Sequence, residues 1–263
     1  MSVLHVTHSL SGGAGIAAQR LCQAQRSNGI EARLVLDADL PNKRGLARLV
    51  QKEWSRSLRR RDPRTELLSL GLVDTGRFEA LNSKAAAVLH LHWINNDMLS
   101  IRDVSAVRAP VVWTLHDMWP FSGACHYSEN NDWKTGYANR EIGDLDQHIW
   151  RRKSATWQTP MQIVAPSRWL AECARNSALM RDWPIDCIPN AINTDQWCPM
   201  PKSQARAALG LPAKGAIIAF GAMGGDSDPR KGFSALSGAL SQLELQGHNV
   251  MALVFGSDQA NAA

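Results

Sequence analysis

Two glycine turns, far apart in the chain, offer the clearest chemistry. Ser11-Gly12-Gly13-Ala14-Gly15 follows the first apolar run, and Asp228-Pro229-Arg230-Lys231-Gly232 follows a much later one. Glycine lets the backbone come close to a ligand, and a helix N-terminus presents free N–H groups and partial positive charge. Both turns are expected to open a helix, and Arg230 and Lys231 would add charge-assisted hydrogen bonds. The implied ligand is anionic, of the sugar-diphosphate type, held between two nucleotide-type folds. A third feature is His116-Asp117, at the end of the run Val111 to Leu115, where open α/β sheets bind ligands. A histidine there can hydrogen-bond a leaving phosphate or a sugar hydroxyl. His5, His8, His90 and His92 alternate along strands and read as packed, hydrogen-bonded core residues.

Two other readings of the first turn stay open. Gly13-Ala14-Gly15-Ile16-Ala17-Ala18 fits the loose G-x-G-x-x-A dinucleotide fingerprint, with Asp37 and Asp39 where a ribose-binding acid belongs. That would make the chain an NAD(P)-dependent dehydrogenase. Against it, Ser9-Leu10-Ser11 lengthens the turn, and the basic turn downstream has no part in that chemistry. Alternatively, the glycines serve close packing alone.

These turns need a scaffold, and the composition supplies one. With 263 residues, 44% hydrophobic and 20% charged, the chain can bury a real core and hold one large or two ordinary domains. The net charge of +5 suits an anionic substrate or membrane surface, with no feature calling for nucleic acid. Cys22, Cys125, Cys173, Cys187 and Cys198 are scattered and odd in number, as expected for reduced thiols in a cytoplasmic protein. No carboxylate cluster or His-x-x-x-His pair predicts a metal, no cofactor is implied, and no Gly-x-Ser-x-Gly elbow predicts a serine hydrolase. No run is long and apolar enough for a signal peptide or a bilayer span.

Strands are expected at Val3 to His8, Glu31 to Leu36, Ala87 to Trp93, Val111 to Leu115, Gln162 to Ala165, Ala216 to Phe220 and Val250 to Phe255. Helices should follow the first glycine turn and run over 96–107, 145–157, 167–180, 203–209 and 231–243. The alternation predicts a doubly wound parallel sheet. Pro199 and Pro201 mark a linker between domains at 1–198 and 199–263. Residues 130–143 are expected to form a long loop over the cleft. In the basic segment 43–64, Leu46, Leu49, Val50, Trp54 and Leu58 share a helical face. That face suits either a core or peripheral contact with an anionic membrane, at its inner face. Most of the ten tryptophans are expected in the core, with a minority free to stack on sugar rings.

Taken in order, the segments resemble the retaining family 4 glycosyltransferases of GT-B fold. The carriers are His5-Val6-Thr7-His8 with Gly12-Gly13-Ala14-Gly15, Leu89-His90-Leu91-His92-Trp93 and, most distinctively, Thr114-Leu115-His116-Asp117-Met118-Trp119-Pro120-Phe121. Ile163 to Leu170, Ile188-Pro189-Asn190-Ala191-Ile192, and Phe220-Gly221 with Asp228 to Phe233 follow. The resemblance implies a Rossmann-like acceptor domain and a second, incomplete Rossmann-like domain for the nucleotide. It implies transfer of a sugar from a nucleotide-sugar donor to a glycan or lipid-linked acceptor, as in bacterial surface-polysaccharide synthesis, without an essential metal. Gly12, Gly13 and Gly15 would approach the donor diphosphate, His116 would contact the donor sugar, and Arg230 and Lys231 would neutralise the leaving group. His92, Trp93 and Asp117 are acceptor-side candidates.

Three departures from the family pattern stand out. Ala222 and Met223 occupy the place of a usual arginine. Cys125 alone represents a cysteine-rich loop, with Tyr137 and Arg140 where other cysteines are expected. The family's paired glutamates are missing, which makes the chain read as C-terminally truncated and of little activity alone. A non-catalytic binding remnant is therefore the alternative.

Overall fold

The computed structural model describes residues 1–41, 46–62, 64, 67–128, 130–141, 143–222 and 228–256, with the side chains of 46–48 left aside. Residues 43–45 and 63 of the basic segment, and Met223, thus lie outside the described residues. The chain divides into two units, Met1–Asn193 and Thr194–Ala263, where the sequence reading divided it after residue 198.

The first unit is a six-stranded, fully parallel sheet with order β2-β1-β3-β4-β5-β6. Its strands are β1 (Ser2–Thr7), β2 (Glu31–Leu36), β3 (Val88–Leu91), β4 (Val111–Thr114), β5 (Gln162–Ala165) and β6 (Ile185–Cys187). They are crossed by α1 (Gly13–Ser27), α2 (Leu46–Arg61), α3 (Phe78–Asn82), α4 (Ile101–Ser105), α5 (Leu145–Thr156) and α6 (Arg168–Asn176). The near-continuous apolar runs of β1 and β3 are those of strands covered on both faces. The chain leaves β1 toward β2 and then returns to the other side of β1 with β3. This reversal makes the carboxyl ends of β1 and β3 a topological switch point, the place where open α/β sheets form a crevice.

Several expectations change in the folded chain. The helix read over 96–107 shrinks to α4, because Asn96 and Asp97 take left-handed conformations (φ 58° and 59°) that a helix excludes. Ser100 instead starts the helix, accepting from Asp103 N while the Asp103 carboxylate accepts from Ser100 N. Within 130–141, a 3₁₀ turn spans Asn131–Lys134, Trp133 and Tyr137 are buried, and Ala178 N bonds to Trp133 O at 3.0 Å. The three-residue β6 has no readable period and is not among the strands expected from the sequence.

Three tryptophans cluster within the core. Trp113, Trp119 and Trp157 contact one another with centroids 5.4–6.3 Å apart, and each indole N–H donates to a backbone carbonyl. Trp54, Trp169 and Trp197 are exposed.

In the second unit, β7 (Ala216–Gly221) and β8 (Val250–Phe255) pair in parallel around α8 (Phe233–Leu245), preceded by α7 (Lys202–Ala208). Arg206 of α7 is buried and donates to Pro212 O and Gly215 O, both at 2.7 Å, which ties the helix to the loop before β7.

Candidate functional site at the carboxyl ends of the strands

The first glycine turn divides its labour. Gly12 (φ 91°) caps α1 in a conformation that disfavours side chains, and Ile16 N returns to its carbonyl at 3.2 Å. A Cβ on Gly15 would lie 2.0 Å from Ser9 O, so Gly15 is required for packing. A Cβ on Gly13 would meet nothing within 4 Å. Packing therefore explains Gly15, while Gly13 leaves open backbone at the start of a 15-residue helix with no side-chain cap. The turn lies beside the end of β3, where His8 N donates to Trp93 O at 2.8 Å.

Four histidines from neighbouring strands lie behind this edge. His5 and His90 are register partners on β1 and β3, and His92 follows His90 by two residues, on the same face. His90 stacks on His92 at 4.4 Å. His5 Nε2 lies 2.7 Å from Gln25 Oε1, His5 Nδ1 lies 3.1 Å from His92 Nε2, and His92 Nδ1 lies 3.1 Å from His116 Nε2. Burial lowers the pKa of every member, His90 to about 3, His116 to about 4, and His5 and His92 also downward. Neutral imidazoles carry one N–H each, so the chain has a direction. With Gln25 Oε1 as the partner, an oxygen that can only accept, His5 Nε2 donates. His5 Nδ1 is then bare and accepts from His92, whose bare Nδ1 accepts from His116 Nε2. His116 is left with an unprotonated Nδ1 that has no protein partner among the described residues. Such a nitrogen suits a hydroxyl donor on a ligand.

Among the described residues, His5, His90 and His92 are also the one group spaced for a metal, with ligand atoms within 4.8 Å. Their closest nitrogens are already committed to each other and, for His90 Nε2, to Thr114 Oγ1 at 2.8 Å.

Asp117 is fully engaged. Its Oδ2 accepts from Trp93 Nε1 at 2.9 Å and faces His126 Nδ1 at 2.5 Å, while Oδ1 accepts from Trp119 N at 3.0 Å. It acts on its neighbours by orienting them. The Asp117–His126 loop is itself pinned by two buried charges from α5. Lys153 Nζ donates to the carbonyls of Trp119, Ser122 and Gly123 at 2.5, 3.2 and 2.8 Å and lies over the Trp119 ring. Asp146 accepts from Ala124 N, Cys125 N and Arg64. Sequence reading missed both, because a lysine and an aspartate on a helix ordinarily face water.

Gly12, Gly13, Gly15, His92, Trp93, His116 and Asp117 thus come from the carboxyl ends of three adjacent strands of one unit. Arg230 and Lys231 belong to the other unit. There the expected helix start at Lys231 is corrected. Pro229–Lys231 forms a single 3₁₀ turn, Gly232 takes a left-handed conformation (φ 77°), and α8 begins at Phe233. Arg230 forms a two-point ion pair with Asp228, at 2.9 and 2.8 Å, and the guanidinium holds the Asp228 carboxyl below its usual range. Lys231 is exposed. Asp37, the acid of the dehydrogenase reading, pairs with buried Arg77.

A parallel, doubly wound sheet with its polar groups at the strand ends, joined to a second α/β unit, is the architecture of GT-B glycosyltransferases. The sequence model of Glycosyltransferase Family 4 matches residues 11–196, and the chain belongs to that family, which removes the dehydrogenase alternative. Anabaena Alr3699/HepE, solved in complex with UDP and glucose, is similar over 97% of this chain and 60% of its own, at 17% identity and TM-score 0.54. A glycosyltransferase from Rickettsia africae ESF-5 is similar over 99% of this chain and 61% of its own, at 16% identity and TM-score 0.55. The chain therefore spans about 60% of the length of these solved relatives. No curated protein matches it. No helix among the described residues is long and apolar enough to cross a membrane.

Proposed function

We propose that the chain serves transfer of a sugar from a nucleotide-sugar donor to a hydroxyl of a glycan or lipid-linked acceptor, with retained anomeric configuration, in surface-polysaccharide synthesis. The observation that carries this reading is the family match over 11–196 together with His116, two residues beyond β4, whose Nε2 is engaged by His92. His116 accepts a hydrogen bond from a hydroxyl of the donor sugar. The open backbone at Gly13 and the N-terminus of α1 approach the diphosphate. Lys231, with Arg230 beside it, neutralises charge on the departing nucleoside diphosphate. The first unit takes the acceptor and the second the nucleotide; the Anabaena relative, solved with UDP and glucose, supports a nucleotide-sugar donor. Leu49, Val50 and Trp54 of basic α2 are exposed while Leu58 packs on the core. This arrangement supports peripheral contact with an anionic membrane at its cytoplasmic face.

Titration with UDP and GDP tests the donor. Binding of either is expected, and Lys231→Ala should weaken it about 10- to 100-fold, the worth of one charge-assisted hydrogen bond. Lys231 is exposed, so the substitution leaves the fold intact. Absence of binding to both nucleotides would favour a non-catalytic acceptor-binding role.

A further inference from the structure

The proposed transfer assigns no role to Ser69 or His126, yet both are built into a chain with Asp117. We propose that Ser69 is a nucleophile in a second, ester-cleaving site, with His126 as general base and Asp117 as the orienting acid, acting on carboxylic esters that carry a negative charge. The proposal does not rest on the transferase reading.

The geometry has the correct polarity. His126 Nδ1 lies 2.5 Å from Asp117 Oδ2, and His126 Nε2 lies 2.8 Å from Ser69 Oγ. A carboxylate only accepts, so Nδ1 carries a proton, and in the neutral imidazole Nε2 is then bare. Ser69 must then donate its hydroxyl proton to Nε2, the arrangement that activates serine. The carboxylate cannot rotate away, because Trp93 Nε1 and Trp119 N hold its two oxygens. Ser69 is anchored on both sides, with its N–H on Ala124 O at 2.9 Å and its carbonyl under Trp119 Nε1 at 2.7 Å. All three side chains are buried, which keeps bulk water off the base.

A polar core triad would face packed atoms, whereas Ser69 lines a cavity of about 300 Å³, within the size range of ligand pockets. Lys52, Arg56 and Arg59 of α2 line it, with Arg56 paired to Glu53, against the single lining acid Asp97, so Lys52 and Arg59 leave the cavity favouring an anionic substrate. Its rim contains Asn96 and Asp97, two consecutive non-glycine residues in the left-handed region. Strain of this kind clusters at ligand sites.

In the step, Ser69 Oγ bonds to the ester carbonyl carbon as its proton passes to His126 Nε2. The C–O bond to the alcohol breaks, and His126 returns the proton to the leaving alcohol. Water, deprotonated by His126, then attacks the acyl-serine and releases the acid and Ser69.

A fluorophosphonate probe tests the nucleophile, since Oγ displaces fluoride and forms a stable O–P bond. Peptide mapping of the labelled chain is expected to place the adduct on Ser69, with no adduct there after heat denaturation. Ser69→Ala should lose it. Asp117→Asn, which reverses the His126 tautomer, should slow labelling by about 10⁴-fold while circular dichroism stays native. Turnover of 4-nitrophenyl hemisuccinate should exceed that of 4-nitrophenyl acetate. Folded wild-type chain unmodified at Ser69, or modified equally fast in Asp117→Asn or after heating, overturns the proposal. A preference for the neutral ester overturns its substrate class.

Discussion

Lys153→Ala is expected to be the most destabilising single substitution in the first unit, at about 4–5 kcal/mol. Nζ is completely enclosed, and three carbonyls of the 119–123 loop accept from it. Three acceptors match the three N–H bonds of an ammonium, while burial pushes the lysine pKa well below its ordinary value. Truncation leaves the carbonyls without a donor and opens a cavity beneath Trp119. Unpaired buried polar groups cost ~1–3 kcal/mol each, and loss of a buried charge partner ~3–5 kcal/mol, without simple additivity. That approaches the whole stability of a typical domain, ~5–15 kcal/mol. Urea denaturation at pH 7 measures it. Lys153→Met, which refills the volume without the donors, should recover only part of the loss. A midpoint for Lys153→Ala equal to wild type would show that water replaces the ammonium at no cost. The consequence reaches the site, because the same loop carries Asp117 at one end and His126 at the other.

Acid is expected to produce the second large effect. The folded chain holds His116 at about 4 and His90 at about 3, with His5 and His92 also depressed. In the unfolded chain these histidines titrate near 6.5. Between pH 6.5 and 4 the unfolded state therefore binds protons that the folded state refuses, and stability falls as pH falls. The contribution is complete above pH 6.5 and is lost through the folded pKa values. Its size is on the order of 5 kcal/mol by pH 4. Asp62 and Asp228, whose carboxyls are held low by Arg64 and Arg230, act in a separate window below the ordinary carboxylate range. Denaturation midpoints measured from pH 7 to 4 should decline steadily, and His90→Gln should flatten the decline by removing one titrating ring. A flat profile over that range would mean that the histidines are already charged in the fold.

The strands were legible because β1, β3 and β4 are apolar runs bounded by turn residues, a pattern that burial on both faces imposes locally. The glycine turn was legible for a similar reason: Gly12 reflects its own backbone angle. What Gly13 and Gly15 each do was not legible, since only the position of Ser9 O separates a packing glycine from an exposed one. The start of α8 was misread by two residues because Gly232 breaks a pattern that helical spacing alone carries through Lys231.

His116 and Asp117 could be singled out from their place at a strand end, but not the groups that act on them. Gln25 lies on α1, His5 on β1 and His92 after β3, and only the register of parallel strands sets their rings in a line. Ser69 stands 57 positions from His126, and nothing in the spacing of either links them. Apolar periodicity reports which face of an element is buried, so the amino-acid order alone determined the α/β alternation, the turns and the polar strand ends. Hydrogen bonds between side chains depend on distances set by packing, so the direction of the histidine chain, the anchoring of the 117–126 loop and the Ser69–His126–Asp117 alignment were decided only by the tertiary structure.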